Sequence, residues 1–128
     1  MIVDKMVIRF KDKALMKGST SDFSNDKPVF NLKLLNGKVE KVSTKDLKAV
    51  FIVKNFNGDK NYNCTYKDFL PWGGNKIKVK FNDGEVMIGY TPYYPEAHQD
   101  FFITPADLQC NNKEVYVVNS ATKEIIYM

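Results

Sequence analysis

The sequence predicts an all-β chain: a tandem duplication of one five-stranded small barrel, packed as one compact unit. Three observations predict it. An ordered series of residues repeats at a fixed offset, apolar residues alternate with period two, and no stretch keeps a helical period. The expected layout is a first barrel in residues 1–53, a connecting segment in 54–76 and a second barrel in 77–128.

The repeat is read directly by placing residues 7–20 above residues 78–91. At an offset of 71, Phe10 meets Phe81, Asp12 meets Asp83, Met16 meets Met87, Gly18 meets Gly89 and Thr20 meets Thr91. The offset continues to Phe30 with Phe101 and Leu32 with Ile103. Four further residues then enter the second copy around 105–112. At an offset of 75, residues 47–52 fall over residues 122–127. Chance does not supply so ordered a series.

Each copy divides into five short strands. Alternation marks 5–10, 14–20, 29–34, 39–43 and 48–53, then 76–81, 85–91, 101–104, 114–118 and 123–127. Asn82-Asp83-Gly84 is a hairpin signal, because glycine tolerates the positive φ a tight turn requires. Lys11-Asp12-Lys13 fills that place in the first copy, with a lysine where the glycine would stand. Residues 43–46 and 119–121 are polar and suit a single 3₁₀ turn before strand five. Five short strands in some fifty residues fit a small, strongly bent barrel.

That arrangement resembles the SH3-like and Sm-like small barrels. The chain also resembles an uncharacterised bacterial family of duplicated domains in Asp22-Phe23-Ser24, Leu47–Phe51, Asp83–Val86 and Asn111-Asn112. The resemblance implies the fold and no activity. It lacks the N-terminal helix of Sm proteins, the Ala-Leu-Tyr-Asp-Tyr stretch of peptide-binding SH3 domains, and the arginine-rich motif with which PilZ barrels hold cyclic dinucleotides. Fold analogy carries no function across.

Composition narrows the rest. Hydrophobic residues make up 44% and aromatics 13%, enough for a packed core, so disorder is excluded. No run approaches the roughly eighteen apolar residues of a membrane span, and the first residues lack a secretory signal pattern. A cytoplasmic protein without membrane contact is expected. Cys64 and Cys110 form no framework and no metal-ligand spacing, so two reduced structural thiols are expected, with one disulfide between them as the alternative. Residues 1–55 carry twelve basic and six acidic side chains, whereas residues 76–128 carry five and seven. A polyanion would therefore meet the first copy, through Arg9, Lys11, Lys13 and Lys17. Arg9 is the single arginine, and lysine lacks its bidentate geometry.

No constellation for catalysis, a cofactor or a metal stands out. His98 is the single histidine, with Asp100 near enough in sequence to orient it, but zinc needs three or four ligands. Gly73-Gly74 and Gly84 with Gly89 make no phosphate loop, since no Gly-Lys-Ser/Thr follows. The aromatics are more informative. Lys17, Ser19 and Asn31 of the first copy become Ile88, Tyr90 and Phe102 in the second, and Tyr93 and Tyr94 follow. An apolar outer face needs a cover or a partner. The connecting segment, with Tyr66, Phe69, Leu70 and Trp72, can supply the cover, which would bury Trp72. The leading functional expectation is a non-enzymatic protein- or peptide-binding adaptor. Its surface would hold Trp72, Tyr90, Tyr93, Tyr94, His98 and Phe102. The alternative is nucleic-acid or nucleotide binding by the lysine-rich first copy. The oligomeric state is left open.

Overall fold

A computed structural model describes residues 4–23, 27–58, 62–92 and 100–128. Ten strands follow one another: β1 (Lys5–Phe10), β2 (Leu15–Ser19), β3 (Val29–Leu34), β4 (Val39–Ser43), β5 (Leu47–Val53), β6 (Asn75–Phe81), β7 (Val86–Thr91), β8 (Phe101–Pro105), β9 (Asn112–Val117) and β10 (Thr122–Tyr127). Two 3₁₀ turns, Thr44–Asp46 and Asn119–Ala121, precede β5 and β10. All ten strands form one antiparallel sheet in the order β10-β6-β7-β8-β9-β5-β1-β2-β3-β4. No helix among the described residues is long and apolar enough to cross a membrane.

The order within each half is the same, with the last strand beside the first: β5-β1-β2-β3-β4, and β10-β6-β7-β8-β9. The first hairpins also match bond for bond. Phe10 N–H donates to Ala14 O and Lys13 N–H to Phe10 O, while Phe81 N–H donates to Glu85 O and Gly84 N–H to Phe81 O. Asp12 and Asp83 each accept from the amide two residues on. Gly84 has φ 94°, and Lys13 takes φ 75°, the strained solution to the same turn. Gly89 stands where β7 bends onto β8. A Cβ there would lie 2.4 Å from Thr104 O, so no other residue fits without moving backbone.

The expected pair of closed barrels is not what forms. The sheet is open, and β4 and β10 are its two edges. The reason lies in β5. Instead of lying free at the edge of its own half, it pairs with β9 of the other half, from Ala49 opposite Val117 to Val53 opposite Asn112.

This seam also divides the side chains between two cores. Met6, Ile8, Val50 and Ile52 pack with Phe30, Leu32 and Val42, and Tyr116 and Val118 of the second half join them. Val7, Ala49, Phe51 and Val53 point the other way, into a core with Ile77, Val79, Phe81, Met87, Ile103 and Val115. Successive residues of a strand face opposite sides of the sheet, so one strand feeds both cores. Phe81 is fully buried, whereas its counterpart Phe10 is half-buried at the margin of the first core. Since each core borrows side chains from the other half, neither half closes alone. Fragments spanning 1–53 and 77–128 are expected to show disordered far-UV circular dichroism separately. A cooperative thermal transition from either fragment would contradict the shared cores.

Candidate functional site

From Tyr62 onward the connecting segment is a strap across the second half, and its anchors are specific. Asp107 is buried after β8. One of its oxygens accepts from Tyr62 Oη at 2.6 Å, Thr65 N–H at 2.8 Å and Thr65 Oγ1 at 3.2 Å. The other accepts from Gln109 N–H at 3.0 Å. Burial works to raise the carboxyl pKa, but these donors outweigh it and hold the group below the ordinary aspartate value. The same bond raises the Tyr62 hydroxyl. Asp68 N–H donates to Ala106 O, and the Asp68 carboxylate accepts from Leu108 N–H.

Cys64 and Cys110 are joined as a disulfide across this strap, with Cα atoms 5.6 Å apart. The expectation of two free thiols is thereby corrected. Their 46-residue separation conceals that the strap folds back onto the loop after β8. Cys64, Asp107 and Cys110 do converge within 4.8 Å. Joined sulfurs and a carboxylate occupied by four donors make that cluster a staple rather than a metal centre.

The cover expected over the second half exists, and of the four residues named for it Leu70 and Tyr66 provide it while Phe69 and Trp72 do not. Leu70 is buried against Tyr90 and Ala106, with Tyr66 and Ile88 at the margin. Tyr90 is 5% exposed, so it belongs to the interior and not to a partner surface. Phe102 is half-buried too. It lies under Phe23 of the first half (6.2 Å between ring centroids) and against Tyr116 (4.9 Å). Trp72 reverses the expectation of burial, being 67% exposed, and its neighbour Phe69 is 76% exposed. The cause is local. Leu70 fills the space over Tyr90, and Gly73 sits so close that a Cβ would lie 2.5 Å from Tyr90 Cβ. Gly73 N–H closes a turn onto Leu70 O, which throws Trp72 outward. Tyr93, Tyr94 and His98 lie outside the described residues. Asp100 accepts from Asn119 N–H at 2.8 Å and so caps the second 3₁₀ turn.

Four cations of the first half, Arg9, Lys11, Lys13 and Lys17, lie on the β1–β2 hairpin. Lys11 donates to Lys45 O (2.8 Å) and Ser120 Oγ (2.6 Å), tying that hairpin to the second half. Arg9 and Lys17 line a groove of about 590 Å³ beside the seam, and Arg9, Lys11 and Lys13 line an adjoining hollow of about 460 Å³. Lys48, unremarked in the sequence, is the bulged residue where Arg9 and Phe10 face Ala49 and Leu47. Its ammonium ion-pairs with Asp83 at 2.7 Å and with Glu85, and sits 4.8 Å from the Phe81 ring centroid. That contact holds Asp83 below its ordinary pKa.

The described residues thus present an open all-β sheet, a strap with two exposed aromatics and a groove lined by cations beside the seam. The chain belongs to DUF6982, a family of unknown function, whose model matches residues 3–128. Neither a curated protein nor a solved structure matches it.

The Asp107 anchor has a pH signature. Because its folded pKa is depressed, the anchor's contribution is complete above the ordinary aspartate value and is lost as pH falls through the lowered one. Hydrogen exchange should show the Thr65 amide protected at neutral pH and losing its protection factor across that acidic window. In Asp107→Ala the protection should be lost at every pH.

Proposed function

We infer that the protein is a non-enzymatic binding module whose partner is a protein or peptide, taken through Phe69 and Trp72. The observation that carries this reading is a contrast within one segment. The strap is pinned by Leu70, by the Cys64–Cys110 bond and by Asp107, yet it turns its two largest apolar side chains to solvent. Exposed aromatics on a rigid support lose little conformational entropy on docking, which is the condition for an interface anchor. The scaffold beneath them reads as two copies of an SH3-like or Sm-like unit, opened where they join. Shared strand order and recurring hairpin hydrogen bonds support that duplication. We propose the cytoplasm as the compartment from the sequence; the Cys64–Cys110 bond argues for an oxidising one, and the Asp107 bonds hold the strap in either.

Trp72 emission is expected to be red-shifted and readily quenched by acrylamide. Against peptides selected by display on the intact protein, Phe69→Ala and Trp72→Ala should weaken binding by about tenfold or more while leaving the thermal midpoint unchanged. Selected peptides that bind both variants as tightly as the parent would place the interface elsewhere.

A second reading, nucleic-acid binding, is favoured by the gathering of Arg9, Lys11, Lys13 and Lys17 on one hairpin. Affinity from lysine–phosphate contacts falls steeply with salt through counterion release. Charge reversal of Lys11, Lys13 and Lys17 to glutamate should then abolish it. Binding that survives high salt would dismiss the lysine face as its cause.

A further inference from the structure

We propose that the groove beside the seam is a binding site for a small organic anion, a phosphate ester or carboxylate carried on a planar group. This goes beyond the strap reading and does not depend on it, since Phe69 and Trp72 take no part in the groove.

Two cations are available for the anionic group. Val7 lies opposite Lys17 and Arg9 opposite Leu15, so Arg9 and Lys17 are diagonal neighbours on adjacent strands. Diagonal pairs in an antiparallel sheet stand roughly 7–8 Å apart, a span that one phosphate or carboxylate can bridge. Among the described residues, no carboxylate lies within ion-pairing distance of either. The third cation, Lys48, is already neutralised by Asp83 and Glu85. Arg9 holds its guanidinium 5.9 Å from the centroid of the Phe51 ring, which orients its planar fork for bidentate contact.

The rest of the groove suits the planar part. Leu15, Phe51 and Phe56 contribute an apolar strip to a lining that is otherwise mostly polar, and Asn57 and Asn112 bring amides to the same space. The wall is built rather than loose. Asn111 accepts from Asn55 N–H (3.1 Å) and donates to Asn55 O (2.9 Å), while Asn55 also accepts from Gly58 N–H (2.9 Å). Its volume, about 590 Å³, falls within the range of sites that enclose small molecules. Asp83 and Glu85 stand on the same groove. Their charge repels a long polyanion running through it and tolerates a single anionic group held at Arg9 and Lys17.

The test is a titration of the full chain, ¹⁵N-labelled, with phenyl phosphate, benzoate and inorganic phosphate in turn. Saturable shifts at the amides of Arg9, Lys17, Phe51 and Asn112 are expected from at least one aromatic probe, with weaker ones from inorganic phosphate. Whether phenyl phosphate or benzoate binds tighter identifies the anionic group. Arg9→Ala and Lys17→Met should weaken binding by about tenfold or more while leaving the rest of the spectrum in place. The proposal is overturned if no probe gives saturable shifts, if Arg9→Ala binds as the parent does, or if inorganic phosphate binds as tightly as the tighter of the two aromatic probes. It is also overturned if only polymeric nucleic acid binds, with a steep salt dependence.

Discussion

The pairing of β5 with β9 is the constraint from which the remaining structure follows. β5 is apolar at every position except Lys48, and its residues are buried on both faces. A strand buried on both faces needs neighbours along both edges and a core on each side. Here β1 supplies one edge and β9 the other, while the two halves supply the two cores. Joining the halves in this way is what keeps either from closing on itself. It also places Arg9 and Lys17 of the first half opposite the Asp83–Glu85 turn of the second, so the groove exists because the seam does.

Much of this was legible in the sequence, because strand periodicity and turn chemistry are local properties. All ten strands appear within two residues of where alternation puts them, and both 3₁₀ turns lie where polar residues interrupt it. The lysine replacing glycine in the first hairpin takes the positive φ that its alignment with Gly84 implied. What was not legible is non-local. Whether an edge strand closes its own barrel or joins a neighbour depends on competition between partners that no window of sequence contains. Lys48 was invisible because a bulge breaks the alternation that would have pointed it into a core.

Trp72 shows the limit of arguing from residue type. An aromatic beside an apolar face is expected to bury, and the face is indeed covered, but Leu70 and Gly73 reach Tyr90 first. Position within a tight turn outweighed hydrophobicity. For Asp107 a usable signal did exist: an aspartate after β8 falls in the stretch 105–112 that takes up the four residues by which residues 77–128 exceed residues 6–53 when the two are aligned. That stretch of the second half carries the strap's anchor. The two candidate sites therefore have separate origins, one in the seam between the halves and one in what distinguishes them.

The two free edges of the sheet bear on how the chain behaves in a crowd. β10 stands to the second half as β5 stands to the first, and β4 corresponds to β9. A further unit could in principle add at either edge by repeating the internal seam. Yet three of the eight apolar positions of that seam are charged at the edges. Ala49 corresponds to Glu124, Val115 to Glu40 and Tyr116 to Lys41. Chains meeting edge to edge in that register would bury carboxylates and an ammonium where the internal seam buries methyl groups and rings. Repeating the internal register between molecules would therefore carry a cost of burying charge that the seam inside the chain does not.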